Sequence, residues 1–115
     1  MLDIDRNQNI TLTRGDTAYI DIVELRNRDG AIYDLVAGDR IFFRLKANSV
    51  IEKELDIDLP NSKASLHILP ADTIGLDYTS YKYEMELVTS TDEHFTFIAD
   101  KNFIISEEVE VHNGN

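Results

Sequence analysis

The chain has 115 residues, with 22 acidic against 11 basic side chains for a formal charge of −11, no Cys, two Pro and five Gly beside five Phe and five Tyr. That length suits one domain with a single core, and the aliphatic and aromatic content is that of a folding chain rather than a disordered one. The charge repels phosphate backbones and anionic lipid, so no nucleic acid and no membrane partner is expected, and without Cys there is no disulfide framework, thiolate metal site or Cys nucleophile.

One domain over 1–115 is expected, with 1–9 and 112–115 as frayed tails. Met1-Leu2-Asp3-Ile4-Asp5-Arg6 lacks the basic start and apolar run of a secretory signal. No apolar stretch approaches the ~20 residues of a membrane span, so a soluble, unexported protein is expected. Asp3, Asp5 and Asn7 begin like a calcium loop, but Gln8 stands where Gly is needed and Arg14 where a bidentate Glu is needed. Asn9-Ile10-Thr11 fits a glycosylation acceptor that an unexported chain would not use. Arg14-Gly15-Asp16 is an adhesion signal on some extracellular proteins. Between two β-rich runs it is expected to be a turn, with Gly15 supplying a permissive backbone and Asp16 bonding a nearby N–H.

Thr17 to Leu25 is a β-rich run whose inward parity changes after Ile22, as a bulge would produce. Turns follow at Arg28-Asp29-Gly30 and Gly38-Asp39. Ile41, Phe43 and Leu45 then alternate with Phe42, Arg44 and Lys46, the period of a half-buried strand. In the next run Leu55, Ile57 and Leu59 share one parity and Glu52, Glu54, Asp56 and Asp58 the other, which predicts a strand with one strongly acidic face. That row is the candidate partner face, either a charged guard against chance pairing or a dock for a basic neighbour.

After the turn at Pro60-Asn61-Ser62, Ala64, Leu66 and Ile68 alternate with Ser65 and His67. A short helical turn is expected near 70–76, with Pro70 at its first position, Asp72 at its positive end and Gly75 to end it. Asp77, four residues before Tyr81, resembles the corner of immunoglobulin-like sandwiches where a Tyr hydroxyl bonds back to the upstream backbone; an ordinary half-buried Tyr is the alternative. Tyr81, Tyr83, Met85 and Leu87 alternate with Lys82, Glu84 and Glu86, and Phe95 and Phe97 flank Thr96 beyond the turn at Thr91-Asp92-Glu93. Phe103 to Val111 supplies the last strand. About eight short strands predict an all-β, immunoglobulin-like antiparallel sandwich.

No catalytic constellation emerges. His67, His94 and His112 have no metal-ligand spacing, and Glu84 and Glu86 on a solvated face have nothing to shift their pKa values apart. No phosphate loop, nucleophile elbow or dinucleotide fingerprint occurs. An enzyme, a cofactor, a metal and a small-molecule substrate are all unexpected.

Thr13-Arg14-Gly15-Asp16-Thr17 before a strand, Asp29-Gly30, Tyr33-Asp34-Leu35, Gly38-Asp39 before Ile41-Phe42-Phe43-Arg44-Leu45-Lys46, Leu69-Pro70-Ala71-Asp72-Thr73, and Tyr81-Lys82-Tyr83 follow one another in order. The series resembles the N-terminal domain of phage baseplate upper proteins and related small phage tail or head proteins, over about Ile10 to Glu108. The resemblance implies a β-sandwich in the virion, present in the host cytoplasm before assembly, that anchors to other virion proteins or self-associates without catalysis. The chain departs from that family in carrying Thr79-Ser80 where Gly often precedes the strand-opening Tyr, and in lacking the fibre-bearing region of longer members. A free immunoglobulin-like binding or adhesion domain is the alternative. Gly15, Asp16, Gly30, Gly38, Asp72 and Tyr81 are expected to be structural.

Overall fold

The computed structural model describes residues 1–27 and 29–107. Among the described residues nine strands and one helical turn follow in order: β1 (Leu2–Ile4), β2 (Ile10–Thr13), β3 (Ala18–Ile22), β4 (Arg40–Lys46), β5 (Val50–Glu54), β6 (Asp56–Asp58), β7 (Lys63–Ile68), α1 (Pro70–Thr73), β8 (Ser80–Val88) and β9 (His94–Ser106). They form a six-stranded sheet, β1-β2-β9-β8-β4-β5, and a three-stranded sheet, β3-β7-β6. The protein is an all-β sandwich. With β3, β7 and β6 in the places of strands B, E and D, and β9, β8, β4 and β5 in those of G, F, C and C′, the strand order is of immunoglobulin type.

The alternating apolar residues meet between the sheets. Ile41, Phe43 and Leu45 of β4, Tyr83, Met85 and Leu87 of β8, and Phe103 and Ile105 of β9 are buried against Ala18 and Ile20 of β3 and Ala64, Leu66 and Ile68 of β7. At the centre the rings of Phe43, Tyr83 and Phe103 lie 5.5 to 6.3 Å apart. Tyr83 fills the place where an immunoglobulin has a Cys, and its hydroxyl donates to Gln8 O at 2.5 Å. Burial, then the Asp5 charge, pushes that hydroxyl up to about 12.

Four expectations are corrected. Residues 1–9 are not frayed: β1 pairs antiparallel with β2, and Asp5 accepts from the backbone N–H of Asn7 and Asn9, closing the loop beneath Tyr83. The sandwich is not wholly antiparallel, because β2 runs parallel to β9; side-chain alternation reports a face and carries no strand direction. The run from Thr17 does not bulge but stops at Ile22, with Leu25 buried from an irregular segment. Phe95 and Phe103 belong to one 13-residue strand, β9, whose register against β8 shifts near Met85. Asp100 takes a φ of 56° in that irregular stretch, and the displaced parity made one strand look like two. The expected helical turn is present, with α1 ending at Thr73, Ile74 as its C-cap and Gly75 just beyond. The expected extension of the last strand to Val111 and the tail 112–115 lie beyond the described residues.

The other turn residues act as expected except Asp16, whose carboxylate pairs with the Met1 amino group rather than with a nearby backbone N–H. Thr13 O accepts from Asp16 N at 3.1 Å around Gly15, φ 83°, and Val36 O accepts from Asp39 N at 3.1 Å around Gly38, φ 93°. Both place a positive φ at the third turn residue, the type II requirement. Gly30, φ 84°, closes a turn by donating to Asn27 O. Asp72 accepts from Leu69 N and from Lys53 Nζ, both at 2.7 Å, so it holds α1 to β5. Tyr81 Oη accepts from Asp77 N at 3.0 Å, which is the immunoglobulin-type corner.

A Cβ on Gly38 would stand 2.8 Å from Ser90 Cβ, on a backbone that side-chain-bearing residues adopt at a cost. Gly38→Ala is therefore expected to destabilise by about 2–4 kcal/mol, and Gly30→Ala, whose added Cβ meets nothing, by about 1, read as shifts in the urea midpoint.

Candidate interaction surfaces

The structure divides the acidic row. The chain passes from the larger sheet to the smaller at Leu55, whose N–H donates to Ile41 O at 2.8 Å, so Glu52 and Glu54 lie on β5 while Asp56 and Asp58 lie on β6. The four acids do not form one strand face. Alternation was legible because an outward residue stays outward as the strand changes sheets; the change itself leaves the period intact.

On the outer face of the larger sheet the charges are organised into a network. Arg44 of β4 reaches Glu52 Oε2 at 2.7 Å, Glu86 Oε1 at 3.0 Å and Glu84 Oε2 at 3.3 Å, spanning β5, β4 and β8. Arg40 makes a two-bond fork with Glu54 at 2.7 and 3.1 Å, and Lys46 Nζ lies 3.1 Å from Glu84. Both guanidiniums lie over the Phe42 ring, with centroid distances of 4.8 and 5.5 Å. Arg40 holds Glu54 below the ordinary carboxylate range. Glu52 and Glu54 are thus each bonded to an arginine of β4 within the fold while remaining about half exposed.

Glu86 and His94 extend this network. Burial opposes ionisation of Glu86, but bonds from His94 and Arg44 outweigh it and lower its pKa. His94 Nδ1 meets Glu86 Oε2 at 3.1 Å, and its Nε2 is 3.4 Å from Asp92, so Glu86 first and Asp92 second raise the imidazole. A pKa raised in the folded state gives stability that is complete below the ordinary histidine value near 6.5 and is lost as pH rises through the folded value. An NMR titration of His94 should give a midpoint above that ordinary value, and Glu86→Gln should return it toward 6.5; an unchanged midpoint in the variant would contradict the pairing.

The outer face of the smaller sheet differs. Asp21, Asp56 and Asp58 accompany Tyr19, Ser65 and His67, with Lys63 as the basic member. Ser65 Oγ donates to Asp21 at 2.7 Å, while Lys63 lies only at 4.0 Å from it. Tyr19 stacks on His67 across the strand pair, centroids 4.1 Å apart and planes 18° from parallel. Here the acid excess is not offset by arginines.

The Arg14-Gly15-Asp16 tripeptide is held shut. Arg14 lies over the Tyr78 ring at 4.3 Å, its Nη1 donates to Leu76 O at 3.4 Å, and its Nε is buried. Gly15 N donates to Thr73 Oγ1 at 2.8 Å. The guanidinium an adhesion receptor would need is packed against the α1 to β8 connection.

The residue that alternation missed is Asp39. It is buried, and it accepts from Tyr33 Oη at 2.7 Å, Val36 N at 2.9 Å and Ser90 N at 3.1 Å, tying the segment before β4 to the β8–β9 hairpin. Burial first and then Asp39 push the Tyr33 hydroxyl up to about 12. The signal was the Gly38-Asp39 pair before a strand, legible as a turn but not as a buried hub. Next to it Asn27, Asp29, Tyr33, Thr89, Glu93 and His94 border an open cleft of about 350 Å³. Among the described residues no group of three or more His, Cys, Asp or Glu is placed to hold a metal ion, and no helix is long and apolar enough to cross a membrane. No family model matches the chain, and no curated protein matches it.

Proposed function

We propose that the chain is a non-catalytic structural module of a phage virion, of the tail or baseplate kind, that anchors to or assembles with neighbouring virion proteins. The observation that carries this reading is the ordered motif series from Thr13 to Tyr83. Its members fix the connections of the sandwich: Gly15 and Gly38 in tight turns, Asp39 beneath two segments, Asp72 on Lys53 and Tyr81 on Asp77. A rigid sandwich with fixed loops suits a part that holds its neighbours at set distances. In this reading the partners are virion proteins, copies of the chain itself included. The immunoglobulin-type strand order and the Tyr81 corner suit a free binding domain equally well, and that is the second reading.

Tagged chain co-expressed with the products of its neighbouring genes tests the first reading. Specific capture of a tail, baseplate or head protein supports it. Capture of a cell-surface or secreted protein instead supports the second.

A further inference from the structure

In the immunoglobulin arrangement the small sheet has four strands, with strand A beside strand B. Here the residues before β3 go elsewhere: β1 and β2 extend the larger sheet, and β3 has β7 as its single neighbour among the described residues. The position of strand A is thus open along Ala18–Ile22, and an open edge offers a row of backbone N–H and C=O groups for a further strand.

The other edges are guarded or short. β1 and β6 have three residues each. β5 matches β3 in length, but its half-buried Lys53 turns inward to Asp72, the kind of inward charge that discourages pairing. β3 turns Ala18, Ile20 and Ile22 inward, all apolar, and Tyr19 and Asp21 outward. Tyr19 is 66% exposed and Val23, just beyond the strand, 70%.

We propose that the free edge of β3 is a docking site for an extended segment of a partner protein that alternates apolar and basic residues and so completes the small sheet. The apolar positions would continue the row of Ala18, Ile20 and Ile22 over the core. The basic positions would stand on the outer face beside Tyr19 and Asp21, the acid of the edge strand itself. A second copy of β3 is disfavoured as the occupant. Paired about Ile20 it would set Asp16 against Glu24 of the other copy, between two chains that each carry −11. The site does not depend on the virion reading.

The experiment uses the full chain, labelled for NMR, and an acetylated heptapeptide alternating valine and lysine. Before addition, the outward amides of the β3 edge should exchange quickly. On addition, shifts and exchange protection should centre on residues 18–22, and rising salt should weaken binding. Asp21→Lys should weaken it by roughly three-fold, the scale of an exposed ion pair. A valine–glutamate peptide and a backbone N-methylated valine–lysine peptide, which cannot donate ladder bonds, should not bind. Shifts centred on β1 or β5, equal binding of either control peptide, or no binding at millimolar peptide would overturn the proposal. So would slow exchange at the edge of the free monomer, or a dimer joined through β3, since each would mean that the chain itself already fills the position.

Discussion

Asp39→Ala should lower the stability of the sandwich by about 3–5 kcal/mol, seen as an earlier urea midpoint with an unchanged slope. The carboxylate accepts three hydrogen bonds, from Tyr33 Oη, Val36 N and Ser90 N, in a site only 6% exposed. Removing it strands donors from two segments far apart in sequence, and a buried unpaired donor costs about 1–3 kcal/mol. Asp39→Asn keeps the shape and one acceptor oxygen, so it should cost about half as much. Without the carboxylate the Tyr33 hydroxyl should move down from about 12 while burial, the larger cause, keeps it above its ordinary value near 10; a return all the way to that value would mean that packing around the ring was lost as well. An Asp39→Ala protein as stable as the wild type would remove the hub from the account.

Phe103→Ala should cost about 3–5 kcal/mol, the range for deleting a buried ring. Phe103 has no exposed surface and touches both other rings of the central cluster, 5.8 Å from Phe43 and 6.3 Å from Tyr83. Its backbone also faces Ile10 of β2 and Tyr81 of β8, so the cavity would open beneath three strands. Thr96→Ala, exposed on the same strand, should stay within about 0.5. Equal small losses from the two would mean that β9 runs in the wrong register.

The strands of strict alternation were legible residue by residue. Ile41, Phe43 and Leu45, then Ala64, Leu66 and Ile68, then Tyr83, Met85 and Leu87 are buried as their parity requires. Turn chemistry was legible where it rests on local rules: Gly15 and Gly38 have positive φ, and Tyr81 makes its corner with Asp77. What escaped is what a period of two does not encode. It gives a face but no neighbour, so the passage of 50–58 from one sheet to the other at Leu55 was invisible, and four acids of one parity looked like one surface. It fails across irregular ladders, so the shift near Met85 broke β9 into two apparent strands. It says nothing of short segments such as Leu2–Ile4, held by pairing with β2 rather than by their own pattern. The Arg44 network was hidden for a related reason: its members come from β4, β5 and β8, and only the registers Arg44 to Glu52 and Arg44 to Glu84 bring them together.

The most direct measurement is quantitative mass spectrometry of particles purified from the chain's own source, with the soluble fraction of the same lysate beside them. The virion reading predicts the chain in the particles, at a fixed copy number relative to a tail or baseplate protein and retained through a salt wash that strips loosely bound proteins. Its absence from assembled particles while it is abundant in the soluble fraction would contradict that reading.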